Sequence, residues 1–191
     1  MKTKRISVLL LVTLLAFSLT GCMEVRNAEN VTIQAFSALK AQNFAKFKEL
    51  TTGENSEDDF NINEDENNSA LIKKLFERFN YSLQASEKID KETVVIKANI
   101  TNVDATVILQ ELLRVAFANA FSGKEMTDEE TNALFESVLS RENLQTVTTD
   151  VDITVKKVNK KWKVLIEGKL ANALLGGLKE RIESINNSFN E

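Results

Sequence analysis

The spacing of apolar residues follows a helical period in the first part of the chain. Val31, Ala35 and Leu39 recur every four positions, and a second apolar series runs from Phe44 to Leu50 after a polar pair at 42–43. This pattern predicts two consecutive helices, the second ended by a glycine at position 53. A third helix is predicted after Ser69, a residue suited to cap it, with apolar positions at Leu71, Ile72, Leu75, Phe76 and Phe79.

Beyond residue 80 the apolar and polar residues alternate, which is the period of a strand with one buried face. The inward-facing candidates are Tyr81, Leu83 and Ala85, then Val94, Ile96, Ala98 and Ile100, then Val147 to Val155, and last Trp162, Val164 and Ile166. Asp90-Lys91 and Asn159-Lys160 are predicted turns between these stretches, and Asn tolerates the left-handed conformation that tight turns require. The pattern predicts an antiparallel sheet, with Trp162 mostly buried on a central strand.

A helical hairpin is predicted between strands, at residues 105–140. Asp104 is placed to cap a strongly apolar helix that Gly123 ends, and Thr127 to Glu130 form a capping-box sequence that opens a second helix. Because the first helix is apolar on nearly all sides, we expect the one-sided second helix to shield it. The tip at 122–127 is expected to stay exposed.

The last apolar series, from Leu170 to Ile185, has helical spacing and contains Gly176-Gly177. Two interior glycines cost a helix about 2 kcal/mol relative to alanine. We therefore expect a C-terminal helix that either bends at the glycines or meets another backbone closely there.

The N-terminus has the pattern of a secretory signal peptide. Three basic residues within positions 2–5 precede an apolar run from Ile6 to Leu19. At 1.5 Å per residue this run reaches about 21 Å, against roughly 30 Å for the core of a bilayer. It is therefore too short to span a membrane.

The run ends in Leu19-Thr20-Gly21-Cys22, which resembles the lipobox of bacterial lipoproteins. This resemblance implies that the Cys22 thiol carries a diacylglycerol, that the chain is cut before Cys22, and that the lipid holds it on the extracytoplasmic face of the cell membrane. The alternative is an ordinary signal peptide followed by a chance cysteine, but Cys22 is the only cysteine in the chain. We therefore divide the chain into a lipoprotein signal peptide (1–21), a tether (22–30) and one domain (31–191).

Composition removes several kinds of chemistry. The chain has no histidine and one cysteine, which excludes imidazole catalysis, histidine-ligated metals and an intramolecular disulfide. Without residues 1–21 it carries 21 Lys and Arg against 28 Asp and Glu, a net charge of −7. This charge argues against nucleic acid binding and against electrostatic adhesion to anionic lipid, so the acyl chains are expected to supply the membrane attachment. No cofactor is predicted.

Three short segments carry a resemblance to a known fold: Ala35 to Phe44, Ile100 to Asp104, and Val158 to Val164, which reads VNKKWKV. Together they resemble the nuclear transport factor 2-like superfamily and, more narrowly, lipoproteins of Gram-positive bacteria that carry one such domain of unknown function. The resemblance implies an α+β fold in which a curved antiparallel sheet wraps around N-terminal helices, the nuclear transport factor 2-like or cystatin-like cone. The hairpin at 105–140 and the C-terminal helix are additions to that cone, placed to cover or fill its opening.

An acidic stretch after the second predicted helix resembles a calcium loop, since oxygen-bearing side chains occupy alternate positions from Asp59 to Asp65. However, its sixth position is Glu64 in place of the turn glycine, and its twelfth is Ala70 in place of a bidentate glutamate. We therefore predict a solvated acidic loop and no metal site.

The remaining candidate sites come from the superfamily resemblance. Its enzymes often use an Asp base and a Tyr hydrogen-bond donor, for which this chain offers Asp104 and Tyr81. Asp104 is more simply explained as a helix cap, so no catalytic residue is predicted. Large aromatics line cone interiors in the superfamily, which makes Phe36, Phe79, Tyr81 and Trp162 the candidates for a ligand pocket. The competing interpretation places the aromatic residues in the hydrophobic core.

Three functions are open at this point. The leading hypothesis is a non-catalytic, lipid-anchored extracytoplasmic protein that binds a small apolar ligand, a peptide or a protein partner at the cell surface. The alternatives are a cavity enzyme with carboxylate acid-base chemistry and an accessory subunit of an envelope assembly. A continuous cavity with Asp104 or Tyr81 pointing into it would favour the enzyme. A filled cone with an exposed apolar stripe on residues 105–140 would favour a protein partner.

Overall fold

The computed structural model describes residues 23–53, 73–123 and 126–189. The helices are α1 (23–40), α2 (Phe44–Leu50), α3 (73–76), α4 (Ala105–Ser122), α5 (Asp128–Leu139), α6 (Gly168–Leu174) and α7 (Leu178–Phe189). The strands are β1 (Thr51–Thr52), β2 (Asn80–Lys88), β3 (Thr93–Val103), β4 (Thr146–Val158) and β5 (Lys161–Leu165). Within these ranges, no helix is long and apolar enough to cross a membrane. Cys22, Ser69 and the calcium-like stretch lie outside the described residues.

The strands form one curved, unclosed sheet in the order β1-β5-β4-β3-β2. β3 pairs with β4 along its whole length, from Thr93 opposite Lys156 to Val103 opposite Thr146. The pairs β2–β3, β3–β4 and β4–β5 are antiparallel, and the β4–β5 turn has Asn159 and Lys160 at φ of 51° and 66°, as predicted for a tight hairpin. The predicted α+β fold with a curved antiparallel sheet is confirmed.

The inner face of the sheet carries the hydrophobic core. The predicted alternation is confirmed on three strands, because Val94, Ile96 and Ile100 of β3, Val151, Ile153 and Val155 of β4, and Val164 of β5 are buried. α1 covers this face with Ala35, Phe36 and Leu39, which are also fully buried, and α6 adds Leu170 and Leu174. The concave side of the sheet is therefore filled by helices, and their apolar side chains supply the main stabilisation of the fold.

The prediction of a tether at 22–30 is wrong from residue 23 onward, because those residues are the first turns of α1. Ala28 is fully buried, and Glu24 forms ion pairs with Lys88 and Lys157. Val25 and Ala28 extend the apolar spacing of the helix backward from Val31, although polar residues between them hide this in the sequence. The folded domain thus begins one residue after Cys22.

β2 departs from the predicted alternation at a bulge. The pairing with β3 shifts between Leu83 and Ser86, so Ala85 is exposed and Ser86 takes the inner position opposite Ile96. The Ser86 hydroxyl donates to the Glu29 carboxylate of α1 at 2.6 Å. This bond satisfies a polar side chain where an apolar one was expected.

The sequence pattern missed β1, a strand of two residues. α2 ends at Leu50 and not at Gly53, and Thr51 and Thr52 pair in parallel with Val164 and Leu165 of β5. β-branched residues favour this extended conformation. A strand this short has no periodicity to detect, so only the contact with β5 defines it.

The helical hairpin between β3 and β4 is confirmed, with its caps. The Asp104 carboxylate accepts from the backbone N–H of Thr106 at 2.8 Å, Gly123 ends α4 in the left-handed conformation, and Thr127 and Glu130 form the capping box of α5. The base of the hairpin has its own small core, formed by Val103, Ile108, Val138, Leu139 and Leu144.

The prediction that α5 shields α4 holds only near that base. Leu113, Phe117 and Phe121 of α4 are 39%, 61% and 92% exposed. α4 has apolar residues on all sides, and α5 covers only the side that faces it. We call the exposed row Leu113, Phe117 and Phe121 the α4 stripe.

Both expectations for the C-terminal glycines are met. Gly176 and Gly177 have positive φ and separate α6 from α7. The Gly176 carbonyl accepts from the Ala105 N–H at 3.0 Å, which joins this turn to the start of α4. Next to it, the buried Asn102 amide donates to the Leu174 carbonyl at 2.6 Å.

Candidate functional site

Three of the four candidate pocket aromatics form one cluster. The ring centroid of Phe36 lies 5.8 Å from that of Phe79 and 5.1 Å from that of Tyr81, and Phe79 and Tyr81 are 6.0 Å apart. Phe76 extends the cluster at 6.1 Å from Phe79. Phe36, Phe76 and Phe79 are fully buried, and their edge-to-face contacts are typical of packed aromatic cores. These rings fill the space between α1 and β2.

Trp162 lies apart from this cluster, on β5. β4 and β3 separate its strand from β2, and the Lys157 ammonium lies 5.0 Å from the centroid of its ring. Trp162 is mostly buried, as predicted, and it packs against the core. Its predicted place on a central strand is wrong, because β1 pairs only with residues 164 and 165, which leaves β5 an edge strand at Trp162.

Tyr81 borders a shallow, open depression of 520 Å³ that Ser37, Lys40, Ala41 and Asn80 also line. Its hydroxyl is 3.3 Å from the Ser37 hydroxyl and donates to the Ile33 carbonyl at 3.5 Å. None of the described lining residues is a carboxylate, so the carboxylate base of the superfamily has no counterpart beside Tyr81 in this depression. Its hydroxyl joins the edge of the aromatic cluster to α1.

Asp104 lies near the other end of β3, where it lines a separate cleft of 300 Å³. The cleft also contains Lys169, Glu180 and Arg181. Asp104 accepts from the Thr106 N–H, which is the capping role predicted for it. Among the described lining residues, none is shared by this cleft and the Tyr81 depression, so the two candidate catalytic residues do not meet.

Along the middle of β3 and β4 the outer face of the sheet is polar. The Asn99 amide donates to Asp150, the hydroxyls of Thr101 and Thr148 are 2.7 Å apart, and Lys97 lies opposite Asp152 on the neighbouring strand. Cross-strand pairs of this kind stabilise a sheet face that meets water. In the described part of the chain, no group of three acidic or cysteine side chains lies close enough to hold a metal ion.

Two other surface features are not part of these cross-strand polar pairs. They lie at opposite ends of β3. The α4 stripe is carried by the helix that follows Val103, the last residue of β3. Around Thr93, the first residue, lies a group that we call the lysine end: Lys88, Lys91, Lys156, Lys157, Lys160, Lys161 and Lys163. At about 3.4 Å per residue, the length of β3 places the two features about 35 Å apart.

Glu24 joins α1 to the lysine end. Its carboxylate pairs with the Lys88 ammonium and lies 3.9 Å from that of Lys157. The hydrogen bond from Lys88, together with the positive charges of Lys157 and Lys91, holds the pKa of Glu24 below its ordinary value. The first residues after Cys22 are therefore fixed beside these lysines.

Comparison with known proteins gives no family. No family model matches the chain, and no curated protein matches it. Two solved structures are similar to it. One is a proposed lipoprotein, ycdA, from Bacillus subtilis, at 16% identity and a TM-score of 0.48, over 85% of this chain and 58% of that chain. The other is a proposed dehydratase of the NTF2-like family from Streptomyces avermitilis, at 10% identity and a TM-score of 0.38, over 75% of this chain and 93% of that one.

These two similarities include one protein of each class that the sequence resembles, a lipoprotein and an NTF2-like protein. The chain spans little more than half the length of the Bacillus protein. Both TM-scores lie below 0.5, so neither comparison supports a statement about activity. The membership of this chain in either class stays a prediction, and its function has to be argued from its own surfaces.

Proposed function

We propose that the chain is a non-catalytic, lipid-anchored protein of the extracytoplasmic membrane face that uses the α4 stripe to bind a protein partner. The observation that carries this proposal is the exposure of Phe117 and Phe121, two aromatic side chains one helical turn apart, on a domain whose other large aromatics are mostly buried. Aromatic residues are enriched at protein interfaces, and contiguous exposed apolar patches commonly mark them.

The energetics favour an occupied stripe. Burying a large apolar side chain is worth about 1.5 to 3 kcal/mol, so covering Leu113, Phe117 and Phe121 contributes on the order of 5 to 9 kcal/mol before the costs of association. The base of the hairpin has its own core, so the stripe is not needed to hold α4 against the domain.

The charge beside the stripe indicates the chemistry of the partner. α5 begins with Asp128, Glu129 and Glu130, which are exposed near the same tip as Phe121. The partner surface that fits is an apolar patch flanked by basic side chains. A second copy of this chain would bring the same acids to the contact, which disfavours self-association through the stripe.

Two other hypotheses, a ligand bound inside the cone and a cavity enzyme, receive less support. Three of the four aromatic candidates for a ligand pocket are packed against one another, which gives a cone-filling ligand little support. Tyr81 and Asp104 line different depressions, which gives a two-residue acid-base site little support. An accessory subunit of an envelope assembly is compatible with the proposal, since such a subunit would also use the hairpin.

Lipidation at Cys22 is tested by metabolic labelling with an alkyne fatty acid. The full chain should incorporate the label and remain with the membrane fraction, because Cys22 is the thiol that the lipobox-like sequence places after the signal peptide. Cys22→Ala should lose both the label and the membrane association. Equal labelling of the two chains would refute lipidation at this residue.

Partner binding is tested by photo-crosslinking in intact cells. A benzophenone amino acid in place of Phe121 should give a discrete adduct with another protein, and one in place of Ala85, which is exposed on β2, should not. Adding Phe117→Ser to the Phe121 probe should reduce the adduct about tenfold, since loss of one aromatic anchor costs 1 kcal/mol or more. An adduct of twice the chain mass would indicate self-association instead, and equal adducts from both positions would contradict a specific interface.

A further inference from the structure

We propose that the lysine end is a docking surface for an anionic lipid bilayer, and that it holds the domain upright on the membrane with the α4 stripe directed away from the lipid. This inference rests on the proposed lipidation of Cys22, and it adds an orientation and a lipid class that lipidation alone does not imply. It differs from the expectation based on the net charge of −7, because that number says nothing about where the charges lie.

The first support is position. α1 starts at residue 23, and Glu24 is held by Lys88 and Lys157, so Met23 lies at the lysine end. No flexible tether separates the domain from Cys22. An acyl chain on Cys22 would therefore bring the β2–β3 and β4–β5 turns against the lipid headgroups, since both turns are at this end of the sheet.

The second support is the charge of the β4–β5 hairpin. Residues 153–166 contain five lysines and no acid. Lys156 and Lys163 are direct cross-strand partners on the outer face of the sheet. Like charges at such positions destabilise a sheet, so the stability of the fold does not account for them. A negatively charged surface would remove this repulsion.

The acids at the same end offset this hairpin charge only in part: Glu49 is near Lys161 and Lys163, and Asp90 is near Lys156. Glu24 is engaged by Lys88, and the Asp90 carboxylate accepts from the backbone N–H of Glu92 at 2.7 Å, where it stabilises the β2–β3 turn. Glu49 is paired with Lys46 of α2. Glu87 and Glu92 are exposed, and the Glu92 carbonyl accepts from the Lys157 N–H at 2.8 Å, so Glu92 lies beside β4. The β4–β5 hairpin still has exposed lysines at 156, 160 and 161.

The third support is the pair of apolar side chains at this end. Met23 is 64% exposed and Ile89, at the β2–β3 turn, is 55% exposed. Each is next in sequence to one member of an ion pair, Met23 to Glu24 and Ile89 to Lys88, so both lie close to the lysine end. Lysines around exposed apolar side chains are typical of surfaces that lie in the headgroup region of a bilayer.

The interaction does not need to be strong. Each lysine near an anionic leaflet shifts the binding equilibrium on the order of fivefold. An acyl anchor on Cys22 makes the contact intramolecular, with a high effective concentration of lipid headgroups. Three or four lysines are then enough to favour the upright orientation over other orientations of an anchored domain.

Trp162 provides the measurement, because it is the only tryptophan and lies in the β4–β5 hairpin. The full chain is extracted from membranes and reconstituted into vesicles that contain a lipid with a spin-labelled headgroup, which quenches nearby tryptophan. One set of vesicles contains phosphatidylglycerol and phosphatidylcholine, the other phosphatidylcholine alone. We expect quenching of Trp162 to be about twofold stronger with phosphatidylglycerol, and we expect high salt to remove the difference.

Two charge-reversal variants separate orientation from general electrostatics. Lys160→Glu with Lys161→Glu should abolish the phosphatidylglycerol effect. Lys179→Glu with Arg181→Glu changes the net charge equally, but on exposed positions of α7 near the α4 end, and it should leave the effect intact. Equal quenching in both kinds of vesicle, or equal loss in both variants, would overturn the proposal.

Whether Cys22 carries a lipid is measured independently of the orientation of the domain. Mass spectrometry of the peptide that contains Cys22 shows whether the lipid is present. If it is absent, the thiol of this single cysteine can be coupled to a maleimide-headgroup lipid, and the same vesicle comparison then tests the orientation. Docking by the lysine end would be contradicted if quenching of Trp162 were the same with and without phosphatidylglycerol, whether the chain is anchored by its own lipid or by the maleimide lipid.

Discussion

Replacing Phe36 by alanine is expected to lower the free energy of unfolding by about 3 to 5 kcal/mol, the usual cost of removing a phenylalanine from a packed core. Phe36 is fully buried and touches the rings of Phe79 and Tyr81, so its loss leaves a cavity that these partners cannot easily fill. Urea unfolding followed by the fluorescence of Trp162 measures the change. A loss below about 1 kcal/mol would mean that the aromatic cluster encloses space and is not a filled core.

Phe121→Ala is the matched control, since it makes the same chemical change at a side chain that is 92% exposed. Its effect on the free energy of unfolding should stay within about 0.5 kcal/mol, as for other surface substitutions. A large loss of stability here would show that the α4 stripe is part of the core, and the proposal of a protein interface would then fail.

The regular parts of this fold could be predicted because their physics is local. From Val94 to Ile100 on β3 and from Val151 to Val155 on β4 every second residue is apolar, and a strand with one buried face requires this alternation. The caps at Asp104 and Thr127 were predictable for the same reason, since a capping side chain bonds to backbone groups two or three residues away.

The features that the sequence pattern does not predict depend on contacts between parts of the chain that are distant in sequence. The bulge of β2 places Ser86 inward, and the partner that makes this acceptable is Glu29, which lies 57 positions away in sequence. The start of α1 is held by Lys88 and Lys157. β1 exists only through its pairing with β5. No window of sequence around these residues contains the information.

The candidate site shows the same division. Of the four predicted pocket aromatics, those at 36, 79 and 81 lie together, but whether such a group lines a cavity or fills one depends on packing that no motif encodes. The superfamily resemblance groups Trp162 with them as a large aromatic, whereas β4 and β3 separate its strand from β2 in the sheet. The lysine end combines two turns about 70 residues apart, which a whole-chain charge conceals.

The proposed membrane anchor and the proposed partner-binding surface lie near opposite ends of β3. Cys22 adjoins one end through α1, and the hairpin inserted at the other end carries the α4 stripe. A rigid connection between them requires that the hairpin be fixed to the sheet. Its base is fixed by the small core around Ile108 and by the turn between α6 and α7, where the Gly176 carbonyl accepts from Ala105.

Gly176→Ala should therefore be among the most damaging single substitutions, with a loss of about 3 to 5 kcal/mol in the free energy of unfolding. The backbone at Gly176 has a φ of +62°, which strains any residue with a Cβ, and that Cβ would lie 1.8 Å from the Val103 carbonyl oxygen. The chain must move at the junction of β3, α4 and α6 to relieve this overlap. Urea unfolding monitored through Trp162 measures the loss.

Gly123→Ala separates the collision from the strain. Gly123 has nearly the same φ, +68°, but a Cβ there would have no heavy atom within 4 Å, so its substitution should cost only the backbone strain, about 1 to 2 kcal/mol. The difference between the two variants measures how tightly the α6–α7 turn is pressed against Val103. If Gly176→Ala cost no more than Gly123→Ala, the junction would be loose, and the hairpin would not be held in a fixed direction relative to the end of the domain that carries Cys22.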